Sequence, residues 1–184
     1  MISLRSCGFV AALALCLSVS PAPTDETKPS PLVTRGRVQL NLAGAEAILA
    51  GAKKKAEEMK LKVNIAVVDD GGHLLAFART DGARPASGYT AITKATTAAT
   101  LRRETGPLPS PSADIDRTLL NLSLQNAAEA SGGKITTLHG GVPVVVEGQV
   151  IGGVGVGGGS GEQDAEVAKA GIDALLEKLR AEKK

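Results

Sequence analysis

The sequence has almost no cysteine, and the position of the two it has excludes several kinds of site. Cys7 and Cys16 both lie near the N-terminus, so residues 17–184 contain no thiol. A thiol nucleophile, a disulfide framework and a thiolate metal site are therefore excluded from most of the chain. A domain without free thiols is also compatible with an oxidising compartment.

Aromatic residues are also scarce, and the net charge is small. Only 2% of the residues are aromatic, there is no tryptophan, and the formal net charge is +2. Proteins that bind single-stranded nucleic acid stack bases on aromatic rings, and polyanion-binding proteins carry large positive charge. We therefore expect no nucleic-acid partner. The core must consist of Val, Ile, Leu and Ala, which are abundant in a chain that is 43% hydrophobic.

The N-terminal residues have the pattern of a signal peptide. Arg5 supplies positive charge, and residues 8–19 form an uncharged, mostly apolar run that is too short to span a membrane. We predict a signal peptide over residues 1–22, a flexible Pro-rich linker over 23–37 and a folded domain over 38–184. The protein is then expected to be periplasmic or extracellular, with no transmembrane domain after cleavage. The cleavage site and lipidation of Cys16 stay open.

Hydrophobic periodicity in residues 38–184 predicts an α+β fold. Asn41 is a candidate helix cap, and Glu147-Gly148 is a candidate two-residue hairpin turn. Because the strands are joined by hairpin-length connections, we expect them to be antiparallel. The predicted helices span 42–60, 86–103, 114–130 and 162–183, and the predicted strands span 63–69, 74–80, 135–138, 142–147 and 149–156.

Two separated blocks of sequence resemble the GlcG/HbpS-like family, also called the haem-degrading domain family. The first is NIAVVDDGGHLLAFARTDGARPAS at 64–87, and the second comprises GGVPVVV at 140–146, GQVIG at 148–152 and GSGEQD at 159–164. The resemblance extends over roughly residues 38–179. It implies a profilin-like or PAS-like five-stranded antiparallel sheet flanked by helices, binding of haem or a small molecule, symmetric self-association, and for some relatives a sensor-protein partner.

The glycine-rich run at 152–161 lies between a predicted strand and the last helix. Its backbone N–H groups and the helix dipole can bind an anion, which makes Gly158, Gly159, Ser160 and Glu162 candidate ligand contacts. The alternative is that the glycines allow a strand to pack closely on a helix, while Ser160 caps the last helix. The same residues would then be purely structural.

Histidine and arginine side chains are the other candidates for ligand binding. His73 and His139 are the only histidines, and each can ligate haem iron or another metal. His73 lies in the first family block and is the preferred candidate. Arg79 and Arg84 can bind haem propionates, although pairing with nearby aspartates would explain them equally well. Each histidine can also be an ordinary turn residue.

Three functions remain open from the sequence alone. The preferred one is an exported protein that binds haem or a small ligand. The second is a redox or isomerising enzyme that uses the glycine-rich loop, and the third is a non-catalytic oligomer that binds a partner. Small residues along the helix at 86–103 allow close contact with another subunit, so we expect a homo-oligomer.

Overall fold

The computed structural model describes residues 36–108 and 116–182, which belong to one compact unit, Arg35–Lys184. The predicted signal peptide and most of the predicted linker, together with Cys7 and Cys16, lie outside the described residues. Among the described helices, none combines the length and the apolar character that a membrane span needs.

Four helices and four strands make up the described part of the chain. The strands form one sheet in the order β2-β1-β4-β3, and every neighbouring pair is antiparallel. This confirms the predicted α+β class with helices flanking an antiparallel sheet. The elements are α1 (Leu42–Glu58), β1 (Asn64–Asp69), β2 (Leu74–Arg79), α2 (Ala86–Leu101), α3 (Arg117–Ala130), β3 (Gly141–Val146), β4 (Gln149–Gly157) and α4 (Gly161–Glu182).

The prediction of five strands is wrong, because residues 135–138 do not join the sheet. Their polar groups bind elsewhere: the Thr136 N–H donates to the Thr97 hydroxyl on α2 at 3.0 Å, and the Leu138 N–H donates to the Thr136 hydroxyl at 3.1 Å. The first of these hydrogen bonds attaches the segment to α2, and the second lies within the segment, so neither pairs it with the outer edge of β3. The sheet described here therefore ends at β3.

Helices cover both faces of the sheet. One face packs against α1 and α4 through a core of aliphatic side chains that includes Ile48, Ile65, Val154 and Val167. The other face packs against α2 through a smaller cluster that includes Ala66, Val68, Ala91 and Ala95. Because both faces of β1 are covered, its residues Asn64 to Val68 are all buried.

Glycines on β4 bring α2 unusually close to the sheet. A Cβ atom at Gly153 would lie 2.3 Å from the Ala95 carbonyl oxygen, and one at Gly155 would lie 2.1 Å from the Ala91 carbonyl oxygen. Alternate residues of a strand point to the same face, so these glycines form a stripe beneath the helix. Close packing of a strand on a helix therefore accounts for much of the glycine-rich run. This was one of the two interpretations that the sequence left open.

Candidate functional site

A cavity of about 660 Å³ opens where the N-terminal half of α2, the loop between β4 and α4, and residues 137–139 meet. The chain crosses from the end of β4 into α4 at this point, so the glycine-rich loop forms one wall. Five of the candidates named from the sequence line the cavity: Arg84, His139, Gly158, Gly159 and Glu162.

The glycine-rich loop is held in place by its own backbone and by the start of α4. Gly158 has a φ of +143°, and a Cβ there would lie 2.5 Å from the Lys62 carbonyl oxygen, so only glycine fits. The Ser160 hydroxyl accepts the Gln163 N–H at 3.3 Å, and the Gln163 side chain accepts the Ser160 N–H at 2.9 Å. This reciprocal capping box confirms the predicted role of Ser160 as a helix cap.

His139 presents one nitrogen to the protein and leaves the other available. Its Nδ1 lies 2.8 Å from the Gly161 carbonyl oxygen, which can only accept, so Nδ1 carries the proton. In the neutral ring Nε2 then has a free lone pair. A backbone carbonyl that accepts from the other ring nitrogen in this way orients many histidines that ligate metals. The ring is close to Gly106 and Gly161, where a side chain would collide with it.

Glu162 is an ionised carboxylate at the start of α4 and at the edge of the cavity. Its own backbone N–H and the Ser160 hydroxyl, which donates to Oε2 at 3.0 Å, lower the pKa of Glu162 below its ordinary value. Nearby His139 contributes in the same direction. Glu162 also stands at the positive end of the α4 dipole, where a negative charge is favourable.

Arg84 supplies a cation at the cavity, and hydrogen bonds to its backbone fix its position. The Arg84 carbonyl oxygen accepts the Asn64 side-chain amide at 3.0 Å and the Ser87 N–H at 3.1 Å. The side chain is exposed, and no carboxylate among the described residues forms an ion pair with it. The guanidinium group is therefore available to an anionic ligand.

A buried ion pair, which the sequence analysis missed, lies beneath the loop. Lys94 Nζ is 2.8 Å from Asp164 Oδ2, and the two side chains are only 6% and 2% exposed. Both residues line the cavity. The remaining carboxylate oxygen of Asp164 accepts the Gly159 N–H at 2.9 Å, so the pair also holds the loop. The signal in the sequence was a single charge, Lys94, within a helix made mostly of Ala and Thr.

His73 and Arg79 lie away from the cavity. His73 follows the far end of β1, where its ring contacts Asp69 at 3.3 Å and its side chain is 83% exposed. The length of β1, about 16 Å, separates it from the cavity end of the sheet. Arg79 is at the cavity end but on the edge strand β2, and is not among the lining residues. The structure thus separates these two candidates from the five that line the cavity, while the eighth, Ser160, caps α4 and is not a lining residue.

Within residues 36–108 and 116–182, no group of three or more His, Cys, Asp or Glu side chains could hold a metal ion. A metal at the cavity would depend on a ligand such as His139 together with atoms that a cofactor brings. Haem would bring nitrogen ligands of its own, so one protein ligand such as His139 would be enough to hold its iron.

Comparison with known proteins identifies relatives over most of the chain. A family model described as "Haem degrading protein HbpS-like" matches residues 40–173. The chain is 44% identical to Protein GlcG of Escherichia coli strain K12 over 120 residues, which are 65% of this chain and 82% of that protein. It is 35% identical over 138 residues to an uncharacterized 15.0 kDa protein of Citrobacter freundii, covering 75% of this chain and 93% of the relative.

Solved structures of similar proteins have the same fold. Klebsiella pneumoniae protein ORFY superposes with a TM-score of 0.66 at 30% identity, covering 80% of this chain and 98% of its own. A double mutant of HbpS from Streptomyces reticuli gives 0.62 at 30% identity, with coverage of 80% and 98%. A PduOC:Heme complex gives 0.60 at 25% identity, with coverage of 74% and 95%.

Proposed function

Because this chain belongs to the family of HbpS-like haem-degrading proteins, we propose that it binds haem in the cavity between α2 and the glycine-rich loop. The observation that carries the proposal is the position of His139, whose Nε2 is free of protein hydrogen bonds among the described residues and whose ring lines that cavity. A relative with the same fold is named as a haem complex.

The size and lining of the cavity are compatible with a tetrapyrrole. A volume of about 660 Å³ lies within the range of about 300–1,000 Å³ that is usual for small-molecule and cofactor sites. Apolar surface comes from Ala86, Pro107 and Leu138, and the glycine backbone allows a flat ring to approach closely. Leu138 is half exposed, so ligand binding would cover apolar surface that now faces solvent.

His139 and Arg84 would then have distinct tasks. His139 Nε2 would ligate the iron, with the Gly161 carbonyl fixing the orientation of the ring. Arg84 would bind a propionate, since a planar guanidinium group fits a carboxylate and no described carboxylate forms an ion pair with it. Bound haem supplies the iron centre for ligand binding or electron transfer. The sequence-based preference for His73 stays a prediction, and the cavity gives reason to test His139 first.

We also propose that the protein acts outside the cytoplasm. Support comes from the charged and then apolar N-terminal sequence and from the absence of cysteine after residue 16. N-terminal sequencing of protein recovered from the periplasm or the medium should show a chain that begins beyond the apolar run. A full-length chain retained in the cytoplasm would contradict the proposal.

A cavity-filling variant tests where the ligand binds. Ala86→Trp places an indole at the cavity wall, and we expect it to weaken hemin binding at least about tenfold, the effect of about 1.4 kcal/mol. Ala50→Trp is the matched control, because Ala50 is an exposed alanine of α1 that lines no described cavity. The readout is a hemin titration followed at the Soret band. Equal hemin affinity in the two variants would exclude this cavity as the haem site.

A further inference from the structure

Lys94 brings a positive charge to the cavity, and its side chain is almost wholly buried. Its ammonium group has three N–H donors. Two have partners, the Val156 carbonyl oxygen and Asp164 Oδ2, both at 2.8 Å. Among the described residues the Lys94 ammonium has no further hydrogen-bond partner, and Lys94 lines the cavity. One donor is therefore left for a group that enters the cavity.

Holding the glycine-rich loop in place does not by itself require a lysine at position 94. Buried ion pairs are costly to desolvate, and apolar residues of similar volume often replace them with no loss of stability. The hydrogen bond that holds the loop runs from the Gly159 N–H to Asp164 and does not involve Lys94. An amine whose third donor lies at a ligand cavity is instead suited to binding an acceptor oxygen there.

We propose that Lys94 is a ligand-contacting residue that donates its third N–H to a carboxylate oxygen of the bound molecule. The proposal rests on the proposed function, in which that carboxylate is a haem propionate. Arg84 adds a second positive charge at the same cavity. The opposing charges are Asp164, which is paired with Lys94, and Glu162, whose carboxylate accepts the Ser160 hydroxyl. A hydrogen bond between two charged groups is shorter and stronger than a neutral one, so the contact favours a carboxylate over an ester.

The test compares hemin with hemin dimethyl ester, in which both propionates are neutral. The variant is Lys94→Met with Asp164→Asn, which removes the ammonium without leaving a buried carboxylate unpaired and leaves the net charge unchanged. The control is Lys178→Met with Asp173→Asn, the same pair of changes at exposed positions of α4. We expect the preference for hemin over its ester, taken as the ratio of the two Kd values, to fall about tenfold in the Lys94 variant only.

An unchanged ratio in a folded Lys94 variant overturns the proposal, while hemin binding itself stands. If that variant does not fold, the parent protein provides the decisive measurement. With lysine labelled by ¹⁵N, the buried Lys94 ammonium resonance should shift saturably as propionate is added, and no shift overturns the proposal. This titration needs no haem, so a parent protein that fails to bind hemin would refute the proposed function without deciding the role of Lys94.

Discussion

At the scale of single residues, Asp69 determines the shape of the turn between β1 and β2. Its Oδ1 accepts the Gly71 N–H at 2.9 Å and the His73 N–H at 2.8 Å. Partial burial raises the pKa of Asp69, but the hydrogen bonds and charge of His73, with the Gly71 N–H, outweigh it and lower the pKa below the ordinary 3.8. The exposed Asp69–His73 contact is thus explained by the turn itself.

This pKa shift predicts how stability depends on pH. A carboxyl group with a lowered pKa in the folded state stabilises that state above pH 3.8, and the contribution is lost as pH falls through the lowered value. Asp69→Asn should therefore be less stable than the parent at pH 7, with a difference that shrinks in acid. Urea unfolding at several pH values measures it. The control Asp81→Asn removes one exposed charge from the next turn. A difference that grows in acid would refute this account.

The candidate site shows which residues sequence reasoning can identify. The glycine-rich sequence and the presence of only two histidines identified Gly158, Gly159, Glu162 and His139 as candidates, and all four line one cavity. Lys94 was not identified, because its partner Asp164 is 70 residues away and only the packing of α2 on β4 brings them together. Sequence patterns reveal local chemistry, whereas such a pair depends on tertiary contacts.

At the scale of elements, local signals predicted most of the fold. The Glu147-Gly148 turn has φ of +51° and +74°, as a two-residue type I′ hairpin requires, and Asn41 accepts the Gly44 N–H at 2.8 Å as the predicted cap. The predicted strand at 135–138 failed because Thr97 on α2 binds its backbone. A four-residue segment rich in β-branched residues fits either environment, so its sequence alone cannot decide between them.

The glycine stripe predicts a sharp dependence of stability on one methyl group. Gly155→Ala would place Cβ 2.1 Å from the Ala91 carbonyl oxygen, so α2 must move away from the sheet, at a cost of about 3 kcal/mol in unfolding free energy. Gly148→Ala is the control, because its Cβ meets nothing within 4 Å and only its φ of +74° is unfavourable, by about 1 kcal/mol. Chemical denaturation compares them. Equal losses would mean that α2 is not tightly packed on β4.

At the scale of the whole molecule, the described surface carries apolar side chains on α3. Leu119 and Leu122 are 61% and 56% exposed, and Ala128 is the only buried residue of that helix. Small residues of α2 first suggested a contact between subunits, but Ala91, Ala95 and Ala99 pack instead against the sheet. The expected homo-oligomer remains a prediction, and α3 is now its expected contact surface.

Substitutions on α3 test this prediction. Leu119→Glu with Leu122→Glu should lower the mass in solution toward that of one subunit, because charges at an apolar contact are costly to bury. Light scattering on tag-free protein measures the mass, and the control is Glu57→Gln with Glu58→Gln on the exposed end of α1. A parent protein that is monomeric at micromolar concentration would contradict the prediction.

A hemin titration of two histidine variants decides whether this fold binds haem through His139. His139→Ala removes the imidazole that lines the cavity, whereas His73→Ala removes one at the far end of β1. We expect His139→Ala to shift the Soret maximum and weaken hemin affinity, and His73→Ala to match the parent protein. If His139→Ala keeps the spectrum and hemin affinity of the parent protein, His139 does not ligate the iron. A loss of hemin affinity in His73→Ala would then identify His73 as the ligand instead.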